Sequence, residues 1–216
     1  MKRIVALVVI IFIVVVSTGQ ENKVPANYKF REEAYGDLDK DGINEKVVVY
    51  DIITPDNEQK GIDREIIIYK KIKENWKIWH RSKKAVKNST EGQSFDPFEG
   101  IEITKGVLII YHFGGGYFKW SHTDRYRLQN DHFELIGFKN FSGQPCEEWF
   151  GFDYNITTGK IIVTDEFEKC EGDKQAVYKK KNETFIHKLP TPILFETRHE
   201  RDVKIISPKY KHELDL

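Results

Sequence analysis

From residue 45 onward, apolar and polar side chains alternate with a period of two, in short runs rich in Val, Ile, Phe, Tyr and Thr. That alternation is the mark of strands with one face buried and one wet. Strands are predicted over 45–52, 63–71, 76–82, 101–104, 107–113, 117–128, 132–138, 147–154, 160–168, 176–180, 183–188, 193–197 and 203–206. Helical spacing is weak throughout. Lys73-Glu74-Asn75, Lys105-Gly106, Asn130-Asp131 and Asn182 supply turn chemistry between the runs, so most neighbours are expected to pair as antiparallel hairpins. The fold class is therefore all-β, an antiparallel meander forming a twisted sheet or a sandwich. A complete propeller needs about four or more blades, and no internal period of that kind is visible.

The stretch 83–100, with Asn88, Gly92 and Asp96-Pro97, is the longest predicted loop. It separates a first region, 20–82, from a second meander, 101–216, within a single all-β domain over 20–216. Ahead of them, Met1-Lys2-Arg3 precedes an apolar run from Ile4 to Val16 and the small residues Ser17-Thr18-Gly19, which has the three parts of a secretory signal over 1–19. The run is shorter than the roughly 20 residues a membrane-spanning helix needs, so no stable membrane insertion is expected after cleavage. Export to a periplasmic or extracellular location follows from this leader. Lysine plus arginine and aspartate plus glutamate balance at 34 each, and the formal charge becomes about −2 without Lys2 and Arg3. That balance gives no footprint for nucleic acid.

The densest chemistry lies just before the first strand, in Asp37-Leu38-Asp39-Lys40-Asp41-Gly42-Ile43-Asn44-Glu45. A hard cation such as Ca²⁺ takes about six to eight oxygens at about 2.3–2.6 Å, and alternating carboxylates can supply them. Asp37, Asp39 and Asp41 hold positions 1, 3 and 5, Gly42 permits the turn, and Ile43 offers its carbonyl. An EF-hand requires Glu at position 12, but Val48 stands there inside a β-branched run.

The remaining pattern, D-x-D-x-D-G-x-x-E followed by a strand, resembles the calcium loop of FG-GAP and VCBS-type repeats found in exported bacterial proteins. The resemblance covers about residues 28–82 as one repeat and is specific only in the loop. It implies calcium as the bound ion, a propeller-blade-like loop, side-chain ligation by Asp37, Asp39, Asp41 and Glu45, and carbonyl ligation by Ile43. Glu45 departs from the family, which more often has Asp there.

Two cysteines, Cys146 and Cys170, suit a compartment where disulfides persist. The strands predicted at 147–154 and 160–168 are joined through Asn155-Ile156-Thr157-Thr158-Gly159. A turn centred on residue 158 puts the cysteines opposite each other, twelve positions to either side. A bridge there is expected to fasten the open end of the ribbon.

For catalysis the best candidates are His122 and Asp124, which interrupt the apolar face formed by Phe118, Trp120, Tyr126 and Leu128. A His–carboxylate pair among aromatics can serve as base and orienter, but more often it is a satisfied polar insert, and no nucleophile is evident beside it. Both residues are also candidate ligand contacts. Gly114-Gly115-Gly116 lacks the Lys-Ser/Thr ending of a phosphate loop and is read as a strand-to-strand turn. His112 and His122 bracket that turn. The tryptophans are read first as packing and second as a surface for a protein or carbohydrate partner. Taken together, the sequence favours an exported, calcium-stabilised β-module for binding, without catalysis. The alternatives are a secreted hydrolase using His122 and Asp124, and a periplasmic inhibitor or immunity protein.

Overall fold

The computed structural model describes residues 24–57, 61–89, 95–172, 174–198, 200 and 202–216. The leader at 1–19 lies outside them. Among the described residues the regular structure is antiparallel β, apart from one 3₁₀ turn at Phe195–Thr197. No helix among them is long and apolar enough to cross a membrane.

Four strands form the smaller sheet in sequential order: β1 (Tyr28–Gly36), β2 (Glu45–Ile52), β3 (Asp63–Ile72) and β4 (Asn75–Ser82). Only β1 lies outside the expected strands. Its sequence, Tyr-Lys-Phe-Arg-Glu-Glu-Ala-Tyr-Gly, is polar because it is an edge strand with one partner and much of its surface in water. The central pair β2 and β3 is apolar on both faces. Val47–Ile68 and Val49–Ile66 stack on one side, Val48–Ile67 on the other, and every one of these side chains is buried. Each such burial is worth about 1.5–3 kcal/mol.

The larger sheet is a second meander: β5 (Phe98–Thr104), β6 (Val107–Gly115), β7 (Lys119–Gln129), β8 (His132–Gln144), β9 (Glu148–Asn155), β10 (Lys160–Glu171) and β11 (Lys174–Lys180). Two of its hairpins turn as expected, through Lys105-Gly106 and Asn130-Asp131, each with φ positive at both central residues. That is the turn whose twist matches the flanking strands. β12 (Glu183–Ile186) behaves differently from the hairpin predicted at Asn182. β11 and β12 both pair with β10, on its two halves in turn, as one long edge strand broken at residues 181–182. At the break, the Asn182 Oδ1 accepts the Asp165 N–H at 2.9 Å, replacing a main-chain acceptor with a side-chain one.

One buried cluster joins the sheets. Leu38, Val47, Val49, Ile66 and Ile68 from the smaller meet Leu108, Ile110, Tyr126, Phe133, Leu135, Phe138, Phe152 and Tyr154 from the larger. The 83–100 stretch runs between the two sheets, and its described residues also help to join them. Ala85 and Val86 enter this core, and Arg64 of β3 reaches Asp51, the Lys87 carbonyl and Asp96 from a side chain with no exposed surface. Expected strand 193–197 is instead an extended approach followed by the 3₁₀ turn. Leu194 makes an isolated bridge to Glu134, and Phe195 then turns fully into the core. The last hairpin pairs β13 (Lys204–Ile206) with β14 (Glu213–Asp215), the latter too short and polar to be read from alternation.

Cys146 and Cys170 are joined, with Cα atoms 5.2 Å apart, but the expected register is off by one. The β9–β10 ladder pairs Asn155 with Lys160 and Glu148 with Phe167, so strict continuation would set Lys169 opposite Cys146. The bridge forms because Cys146 has left the ladder. It sits in the β8–β9 connection at φ 69°, where strand alternation no longer fixes the direction of its side chain.

Candidate functional site

The acidic loop connects β1 to β2 and is built from its own side chains. Asp37 accepts the Asp41 N–H at 3.1 Å and the Gly42 N–H at 3.0 Å, while Asp41 Oδ1 accepts the Ile43 N–H at 2.8 Å. Lys40 and Gly42 take positive φ, 66° and 88°, which lets the chain coil this tightly. Leu38 points the opposite way and is buried in the common core, so the loop is pinned from beneath. The loop also touches the larger sheet. A Cβ on Gly106 of the β5–β6 turn would come within 3.0 Å of the Lys40 side chain, and one on Gly36 would strike Ile103.

Carboxylate oxygens of Asp37, Asp39 and Glu45 converge within 4.8 Å of one another. Glu45 is fully buried. Its Oε2 accepts the Leu38 N–H at 2.8 Å, but its Oε1 has no hydrogen-bond donor among the described residues. Burial, reinforced by the charges of Asp39 and Asp41, pushes the Glu45 pKa up, against the Leu38 N–H and Lys70. An unsatisfied buried carboxylate oxygen is costly, and here it shares a small space with two other anions. The donor set is all hard oxygen, which fits Mg²⁺ or Ca²⁺ rather than a thiolate-seeking metal. Asp41 stands outside the converging three: its Oδ1 serves the Ile43 N–H and its Oδ2 lies 3.1 Å from Lys70 Nζ. The Ile43 side chain is half exposed.

Lys70, on β3, was not anticipated as part of this site. Its ammonium bonds Asp39 Oδ2 and faces Asp41, and these two hold its pKa up. The same Nζ lies 5.0 Å from the ring centroid of Trp79 on β4. Strand pairing brings it there: Lys46 of β2, one residue past Glu45, pairs with Tyr69. No spacing within residues 37–45 points to residue 70, so only the register reveals it.

His122 and Asp124 take the expected face of β7, with Trp120, Tyr126 and Leu128. The His122 ring is 4.4 Å from that of His112, its registered partner on β6, and stacks with Trp120. Burial drives the His122 pKa down to about 2, against the pull of Asp124 and assisted by His112, Lys87 and Arg198. A base that weak is far from the operating range of general acid–base catalysis. Asp124 is fully buried and pairs with Arg198, Nε to Oδ2 at 2.9 Å and Nη2 to Oδ1 at 3.2 Å, and it accepts the Tyr126 hydroxyl at 3.1 Å. Arg198 overcomes the desolvation and holds the Asp124 pKa low. Asp124 thus forms a buried ion pair with Arg198, and the neutral His122 ring packs beside it. Gly114 and Gly115 end β6, paired with Trp120 and Lys119, and Gly116 opens the β6–β7 reversal; a Cβ on Gly115 would collide with the Phe118 carbonyl.

In comparisons with known proteins, no family model matches the chain, no curated protein shows significant similarity to it, and no solved structure matches it.

Proposed function

We propose that the protein is an exported, non-catalytic β-module whose sheet junction is fixed by a calcium ion, held by Asp37, Asp39 and Glu45 with help from Asp41 and the Ile43 carbonyl. The observation that carries this is the buried, donorless Glu45 Oε1 facing two further carboxylates. A dication would supply the charge that the loop lacks and would tie β1 to the start of β2. The Cys146–Cys170 bridge supports an oxidising compartment. Outside the cytoplasm, modules of this kind work with dissociation constants of about 10⁻⁴ to 10⁻³ M.

Such a scaffold needs a surface to present, for a protein or carbohydrate partner. On the outer face of the larger sheet, Phe113 and Phe141 are about two-fifths exposed. Phe141 lies flat against Trp149, rings 5.0 Å apart and 9° from parallel. Gly143 and Gly151 clear the space: a Cβ on either would press into Trp149 or Phe141.

Thermal unfolding with and without calcium tests the metal reading. At ten times its dissociation constant, calcium should add about 1.4 kcal/mol, lost in chelator and in Asp39→Ala. Equal melting in both media, with no calcium by elemental analysis, would overturn it.

A further inference from the structure

We infer that Lys70 is a tethered counter-cation of the acidic loop, which an arriving divalent ion must displace, and that Trp79 registers the exchange. This rests on the reading of residues 37–45 as a metal loop. Three carboxylates converge there, those of Asp37, Asp39 and Glu45, with Asp41 beside them, and Lys70 brings one positive charge through Asp39 and Asp41. Its hydrogen bonds go to Asp39 and Asp41, while the buried Glu45 Oε1 receives none. The ammonium therefore neutralises the outer part of the cluster and leaves the inner part unpaired.

The Asp39 carboxylate is the contested group. It is bonded to Lys70 Nζ, and Asp39 is also one of the three residues whose oxygens converge. A calcium ion at about 2.3–2.6 Å from that carboxylate would stand beside the ammonium and repel it. The lysine can leave, because its side chain is 29% exposed and rests on a flexible four-carbon stem. Its departure changes the field at Trp79, whose ring centroid is 5.0 Å from Nζ. The device keeps the loop electrically tolerable before the ion arrives and weakens the ion's binding by the interactions that must be given up.

Calcium titrations of the full mature chain, followed by calorimetry and by tryptophan emission, test this with Lys70→Met, Lys70→Gln and Trp79→Phe. A hydrogen bond to a charged group is worth roughly a tenfold to hundredfold change in affinity, so both lysine variants should bind calcium at least about tenfold more tightly. The wild-type emission change should disappear in Trp79→Phe and shrink in the lysine variants. Unchanged affinity in both lysine variants would overturn the counter-cation while leaving the metal loop standing. No calorimetric binding in any variant, Lys70→Met included, would overturn the metal loop itself.

Discussion

Arg198 and Asp124, 74 residues apart in the chain, meet through two hydrogen bonds with at most 1% of either side chain exposed. The 3₁₀ turn at Phe195–Thr197 delivers the arginine, and β7 the aspartate. Removing one partner leaves the other charged and buried. Arg198→Met should therefore cost about 3–5 kcal/mol in urea unfolding. The double variant Arg198→Met, Asp124→Leu should recover much of that loss, and a double variant as unstable as the single would refute the ion-pair account.

Acid should weaken the fold through His122 before it reaches the carboxylates. The ring titrates near 6.5 when free and at about 2 when folded, so below pH 6.5 the unfolded chain binds a proton that the folded one excludes. Stability is full above pH 6.5 and falls with pH, by up to about 1.4 kcal/mol per unit from this group. Asp124, lowered from 3.8, acts in the same direction but only below about pH 4. Chemical denaturation of His122→Phe between pH 4 and 6.5 should show a slope shallower by about one proton; an unchanged slope would exclude His122 as its source.

Glu45→Gln separates the two needs of the loop. The amide places a donor where Oε1 now faces other carboxylates, so in chelator the variant should gain about 1 kcal/mol. The gain produced by calcium should vanish. Paired melting curves in calcium and in chelator check both halves, and a variant that keeps the calcium increment would remove Glu45 from the ligand set.

Reducing Cys146–Cys170, or replacing both by alanine, should cost about 3.5 kcal/mol for a crosslink between residues 24 apart. Amide exchange should accelerate first at Glu168 and its β11 neighbours, near the freed end. Uniform acceleration across both sheets would point to global rather than local loosening.

Much of the fold was legible because burial on one face imposes a period of two, and 45–52 matches β2 residue for residue. The misses share a cause, since each concerns residues whose partner is distant or whose face is wet. β1 is polar because it is an edge, β14 is three residues long, and β12 looked like the return arm of a hairpin because nothing in Asn182 says which strand it accompanies. The disulfide was found on a register one residue wrong, since the β9–β10 turn leaves four residues between the pair Asn155–Lys160, and the left-handed Cys146 made up the difference outside the ladder. The acidic loop was readable from its spacing. Lys70 and Arg198 were not, because each reaches its carboxylates through tertiary pairing rather than along the sequence.

The broken edge beside β10 has a further consequence. An open strand invites another chain to add itself, molecule upon molecule, into a growing ribbon. Here every residue of β11 is exposed, lysines stand at 174, 179 and 180, and the line then jogs at Asn182 before β12 begins. An incoming strand would meet like charge and then lose step with the ladder. Separate molecules are kept from joining edge to edge by this means.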